Sequence, residues 1–192
     1  FGFLLGGFLM VGVSWLCNRT PPRRADRIFR RLQLLSAAAY SLGHGGNDAQ
    51  KTIGIIWMLL VAAGISKAGD SVPAWVVISC YVSIGLGTLF GGWRIVRTMG
   101  QRITKLNQAR GFSANSGGAI TLFLATSLGI PVSTTHTITG AIAGVGSTGG
   151  AKAVRWGVAG GIVWAWILTI PASATVASQL TPDSMPSRSL SV

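Results

Sequence analysis

Acidic side chains are almost missing from this chain. It has four in 192 residues, against 16 Lys and Arg, for a formal net charge of +12. Charge of either sign is scarce: 10% of residues are charged, where a soluble domain carries roughly 25%. That scarcity excludes an ordinary water-soluble globule. Cysteine is scarce too. Cys17 and Cys80 lie in apolar segments without metal-ligand spacing and read as small buried hydrophobes. The apolar runs do not alternate with polar residues, which excludes barrel strands. No aromatic or motif pattern accompanies the positive charge, which excludes a nucleic-acid binder. No initiator Met is present. The chain starts at Phe1 inside an apolar run, so it is expected to be the C-terminal part of something longer.

What is present is hydrocarbon. Hydrophobic residues make up 49% of the chain, and its mean hydropathy is +0.53. The expected class is an all-α integral membrane protein, with 27 glycines suited to close helix packing and to broken helices. Eleven of the 16 cations lie in two stretches: Arg19, Arg23, Arg24, Arg27, Arg30 and Arg31, then Arg94, Arg97, Arg102, Lys105 and Arg110. Short basic loops between apolar spans mark the cytoplasmic side, so residues 18–31 and 93–111 are assigned there. This makes the protein multi-pass, in a cell inner membrane with the lipid bilayer as its surroundings.

Residues 1–17 read as a truncated transmembrane helix and residues 18–31 as a basic loop, whose Pro21-Pro22 pair stops a helix from continuing. Residues 32–42 and 52–65 are apolar, but each is shorter than the about 20 residues a span requires. They read as one discontinuous helix over 32–65, interrupted near residues 43–48. Residues 73–92 can span. The second basic stretch fits an interfacial amphipathic helix or a solvated loop. Residues 119–130 and 137–146 are again too short to cross alone. Residues 113–150 therefore read as a re-entrant helical hairpin turning at Pro131. Residues 156–177 form a full span in which Pro171 is tolerable. The polar tail, residues 178–192, is rich in Pro and Ser and expected to be disordered.

Of the four acids, Asp26, Asp70 and Asp183 fall in loops or the tail. Asp48 alone falls at membrane depth, and a carboxylate there is a functional group by default. A broken helix would leave backbone N–H groups free at the start of its second half, and these bind anions. Asn47 and Asp48 would begin one half-helix. Ser133, Thr134 and Thr135 would begin another, each hydroxyl able to donate to an oxyanion. Asp48 would repel an anion unless protonated or paired, so Na⁺ or H⁺ at Asp48 would link a driving ion to the substrate. Bland readings stand beside these. Asp48 and Lys51 can pair across one helical turn. Ser133 to Thr135 can cap a helix. His44 is expected to be a hydrogen-bonded structural residue, and His136 either packs or serves the site. Residues 45–52 resemble a phosphate-binding P-loop only superficially, since Gln50 stands where its last Gly belongs and no strand precedes it.

Gly-Gly-Asn-Asp-Ala-Gln-Lys-Thr (residues 45–52) and Pro-Val-Ser-Thr-Thr-His (residues 131–136) resemble the repeated signatures of the inorganic phosphate transporter (PiT) family. The resemblance runs from about Arg31 to Ala177 and includes Gly-Gly-Trp-Arg (91–94) and Ala-Val-Arg-Trp-Gly (153–157). It implies a secondary transporter of two inverted repeats, each with one copy of both motifs. This chain has one copy of each, so residues 32–177 resemble the second repeat, and the matching half-site belongs to a missing N-terminal repeat. It implies that Asn47, Asp48, Ser133, Thr134 and Thr135 line a phosphate and cation site, with Gln50, Lys51 and His136 as support. Many relatives carry Glu where this chain has Asn115. That leaves the coupling ion open, although Asn115 can still offer a carbonyl to Na⁺. The expected function is cation-coupled phosphate symport by alternating access, with no covalent chemistry and no cofactor beyond the coupling ion. The rivals are sulfate or another oxyanion on the same fold, an uncoupled anion channel, and a membrane phosphoesterase, for which no metal cluster or nucleophile–base pair is evident. Oligomeric state stays open, a homo-oligomer included.

Overall fold

The computed structural model describes residues 1–67 and 69–180, and among these every regular element is helical. Six α-helices follow in order: α1 (Gly2–Leu16), α2 (Pro22–Ala62), α3 (Ala74–Arg97), α4 (Gln108–Ser127), α5 (Thr134–Ser147) and α6 (Trp156–Leu180). Phe1–Arg155 makes one compact unit, and Trp156 begins a second. Among the described residues two helices are long and apolar enough to cross a membrane, over Ala74–Trp93 and Trp156–Gln179.

In the first unit α4 is the central element, packed by α1, α2 and α5. Its buried face is built from small residues, among them Gly111, Ser113, Ala114, Gly117, Gly118 and Ala119. Small side chains let helix axes approach where no water drives association. α2 and α4 run parallel. Phe29 meets Phe112 with ring centroids 5.6 Å apart, Gly43 lies against Leu122, and Asn47 reaches Thr126. α1 and α5 also run parallel to each other. A Cβ on Gly2 would lie 2.5 Å from the Thr137 carbonyl oxygen, and one on Gly6 2.6 Å from that of Ala141. A Cβ on Gly144 would collide with the Phe3 carbonyl oxygen. The two Gly-x-x-x-Gly spacings, Gly2/Gly6 and Gly140/Gly144, thus face each other.

α4 and α5 form a helical hairpin. α4 ends in a Schellman turn: the Gly129 N–H donates to the Thr126 carbonyl (3.1 Å) and the Ile130 N–H to that of Ala125 (2.9 Å). This requires Gly129 at φ +67°, a conformation that costs glycine little. Pro131 then keeps the chain extended until Ser133 caps α5.

Three expectations need correction. The discontinuous helix over 32–65 is not discontinuous: α2 runs from Pro22 to Ala62 through Gly43, Gly45 and Gly46. Glycine costs a helix only about 1 kcal/mol relative to alanine. Breaking the backbone ladder in an apolar setting strands N–H and C=O groups at several kcal/mol each. Residues 18–31 are not a loop throughout. Pro22 occupies the first turn of α2, where its missing N–H costs nothing, so the arginines from Arg23 to Arg31 are helical. Likewise α3 carries on to Arg97 and a π-helical turn covers Thr98–Arg102, leaving a short link before α4. The first residues of the polar tail are not disordered, because α6 extends to Leu180. Residues 181–192 lie outside the described residues.

Candidate functional site

At 1.5 Å per residue, α2 is about 60 Å long, and Asp48 lies on its second half, level with the end of α4 and the start of α5. Three elements converge there. Thr134, in the first turn of α5, donates its hydroxyl to Asp48 Oδ2 at 3.1 Å. Lys51, one turn on from Asp48, reaches Asp48 Oδ1 at 3.1 Å. The same ammonium donates to the Val132 carbonyl, in the α4–α5 turn, at 2.6 Å. His44, one turn before Asp48, holds Nδ1 3.3 Å from Asp48 Oδ2 but out of hydrogen-bond alignment. The carboxylate is about one-third exposed (33%), as is His44, and Lys51 is 39% exposed. This is a half-open polar cluster.

The continuous helix redistributes the anion-binding groups. Asn47 and Asp48 lie mid-helix, so their N–H groups are spent on the helical ladder. Only α5 offers a helix N-terminus here. Ser133 is its cap, accepting from the His136 N–H at 3.4 Å, which leaves the first N–H groups of α5 facing the turn. The Asp48 carboxylate therefore sits beside the positive end of the α5 dipole, a favourable place for an anion. Asn47 is 5% exposed. Its amide donates to Thr126 Oγ1 at 3.4 Å, and its Oδ1 is buried without a donor.

The structure brings Asn47, Asp48, Lys51, Ser133 and Thr134 together. Thr134 is buried, whereas Ser133, Thr135 and His136 are exposed at the mouth of the same turn. Gln50 is exposed and points about 200° around α2 from Asp48. Asn115 is half-buried on α4, 11 residues before Thr126 and so about 16 Å away along the helix. It is not part of this cluster.

Sequence reasoning passed over three contributors. Tyr40 donates its hydroxyl to the Thr134 carbonyl at 3.1 Å, tying α2 to α5. Its ring lies parallel to that of His44, at 4° and 6.1 Å between centroids. Gly118 makes room for it: a Cβ there would lie 2.9 Å from Tyr40 Cε2. Val132 contributes a carbonyl that no side-chain motif advertises. Tyr40, His44 and Asp48 stand at i, i+4 and i+8, the spacing of one helical face, and that signal disappears once a break is assumed between them. An open apolar groove on α1 and α5, lined by Phe3, Phe8, Val11 and Gly144 among others, lacks charged residues and lies apart from this cluster.

The sequence model of the phosphate transporter family matches residues 10–177. A protein of Rhizobium meliloti described as a probable low-affinity inorganic phosphate transporter is 61% identical over 177 residues, covering 92% of this chain and 53% of that protein. A Bacillus subtilis protein of the same description is 41% identical over 174 residues, with 91% and 52% covered. Among solved structures, a sodium-dependent phosphate transporter superposes with a TM-score of 0.68 at 32% identity, over 82% of this chain and 42% of that one. The chain spans about half the length of the curated relatives it matches.

Proposed function

The chain belongs to the phosphate transporter family, and from that premise we propose that it supplies one half of a sodium-coupled inorganic phosphate symporter working by alternating access in a cell inner membrane. The observation that carries this reading is the Asp48 cluster. A carboxylate, a lysine, two hydroxyls and a helix N-terminus meet where α2 touches the α4–α5 turn. Such combinations of helix ends and carbonyls hold anions and Na⁺ in secondary transporters. In this reading Ser133, Thr135 and the first N–H groups of α5 hold phosphate oxygens. Asp48 and the donor-free Oδ1 of Asn47 serve the cation. The α4–α5 hairpin acts as a re-entrant element, and a second repeat with its own copy of both motifs completes the site.

Sodium is preferred over the proton because the superposed structure is described as a sodium-dependent transporter. The sequence-based argument for coupling changes in one respect. The repulsion between Asp48 and an incoming oxyanion is already offset by Lys51 at 3.1 Å, so the cation at Asp48 acts on a paired carboxylate. The test is Asp48→Asn in the protein containing this chain and its partner repeat. Sodium-driven phosphate uptake is expected to fall to background while membrane insertion is unchanged. Uptake at the unmutated rate would overturn the assignment.

A further inference from the structure

Lys51 is placed unlike an ordinary surface lysine. Its ammonium is held by a carboxylate oxygen of α2 (3.1 Å) and by the Val132 carbonyl of the hairpin turn (2.6 Å). Secondary transporters coordinate Na⁺ with main-chain carbonyls of irregular backbone, and a carboxylate beside such a carbonyl adds the negative charge a cation favours. Asp48 Oδ2 meanwhile accepts from Thr134. Among the described residues, Asp48 is the acid in ion-pair contact with a lysine, and that pair is local to α2.

We propose that Lys51 is a tethered stand-in for the coupling cation: it occupies the oxygens of Asp48 and Val132 until Na⁺ displaces it. This rests on the sodium-coupled reading above and deepens it. Displacement has a second consequence. The freed ammonium remains on the first turn after Asp48, within side-chain reach of the exposed hydroxyls of Ser133 and Thr135 and of the α5 N-terminus. It becomes a donor for the phosphate oxygens when the sodium ion is in place. One charge is exchanged at Asp48 and one is presented to the anion, so cation binding favours anion binding without a net change in the charge around the carboxylate. This is a coupling free energy between two ligands carried by one side chain.

Two measurements test this, both on the protein containing this chain and its partner repeat. The first is sodium-dependent thermal stabilisation without phosphate, with choline holding ionic strength constant. Lys51→Gln removes the competitor, so half-maximal stabilisation is expected at about two- to five-fold lower sodium, the range of a partly exposed ion pair. Lys51→Arg restores a competing cation and is expected to return the response toward that of the unmutated protein. Phosphate should bind more weakly to Lys51→Gln, and sodium should no longer strengthen it. A lysine that merely braces the hairpin predicts a lower melting temperature with an unchanged sodium midpoint, and that result overturns the inference while leaving sodium coupling intact. No sodium response in either protein overturns both. The second measurement uses the unmutated protein and does not depend on the variant folding. Labelling of Lys51 by an amine-directed reagent, read by mass spectrometry, is expected to rise when sodium replaces choline. Unchanged or lower labelling overturns the inference.

Discussion

At the scale of single residues, the site is an arrangement of few charges with several neutral donors. Asp48 accepts from a hydroxyl and an ammonium on different elements, so removing it frees both Thr134 and Lys51. That is why Asp48→Asn is expected to abolish coupled uptake. Ser133 has a double duty as the cap of α5 and as an exposed hydroxyl at the turn. Its capping bond is long, at 3.4 Å, so Ser133→Ala is expected to cost about 0.5–1 kcal/mol, the low end for a lost cap. Thermal unfolding in detergent measures that cost. The same variant should raise the phosphate concentration needed for half-maximal uptake, which capping alone does not predict. Asn47, Asp48, Ser133 and Thr134 were legible in the sequence because a lone membrane-depth acid and a run of hydroxyls after Gly-Ile-Pro are conspicuous in a hydrophobic chain. Asn115 is suggested for the coupling ion by the resemblance alone, and its distance along α4 from Thr126 separates it from the cluster.

At the scale of elements, α2 decides how the site is built. The Gly-rich stretch suggested a break, yet the helix passes through it. Gly45 and Gly46 have open space where a Cβ would sit. Gly45→Ala is therefore expected to raise stability by about 0.5–1 kcal/mol, read as a higher melting temperature. A break at this position would make the same change destabilising. The glycines of α1 and α5 behave in the opposite way, because backbone fills the space beside them. Gly144→Ala drives a methyl group into the Phe3 carbonyl oxygen and is expected to cost about 1–3 kcal/mol, as overpacking does, with a lower melting temperature as the readout. The helical character of the chain and the turn at Pro131 were legible because apolar length and Gly-Pro punctuation are local signals. The continuity of α2 was not. It depends on the cost of unpaired backbone in an apolar setting, which outweighs the weak preference of any one residue. The helical run of arginines from Arg23 to Arg31 is not legible for a related reason: Pro21-Pro22 signals a stop in the sequence, whereas Pro22 forms the first turn of the next helix.

At the scale of the whole molecule, the apolar helices and the family describe a membrane protein. The outward face of α2 changes from Arg27, Arg30 and Arg31 to exposed Leu34 and Leu35 within one turn, as a helix leaving a polar interface does. The chain matches about half the length of its curated relatives, and the half-open state of the Asp48 cluster suits a site completed by a second repeat. In the proposed function this cluster couples sodium to phosphate. The most direct test is radiolabelled phosphate uptake into proteoliposomes containing the protein with both repeats, under a sodium gradient, a proton gradient or neither, with excess sulfate as competitor. Accumulation above equilibrium is expected with the sodium gradient alone, resistant to sulfate and absent in Asp48→Asn. Equilibration without accumulation, accumulation driven by protons alone, or sulfate taken up in place of phosphate would contradict it.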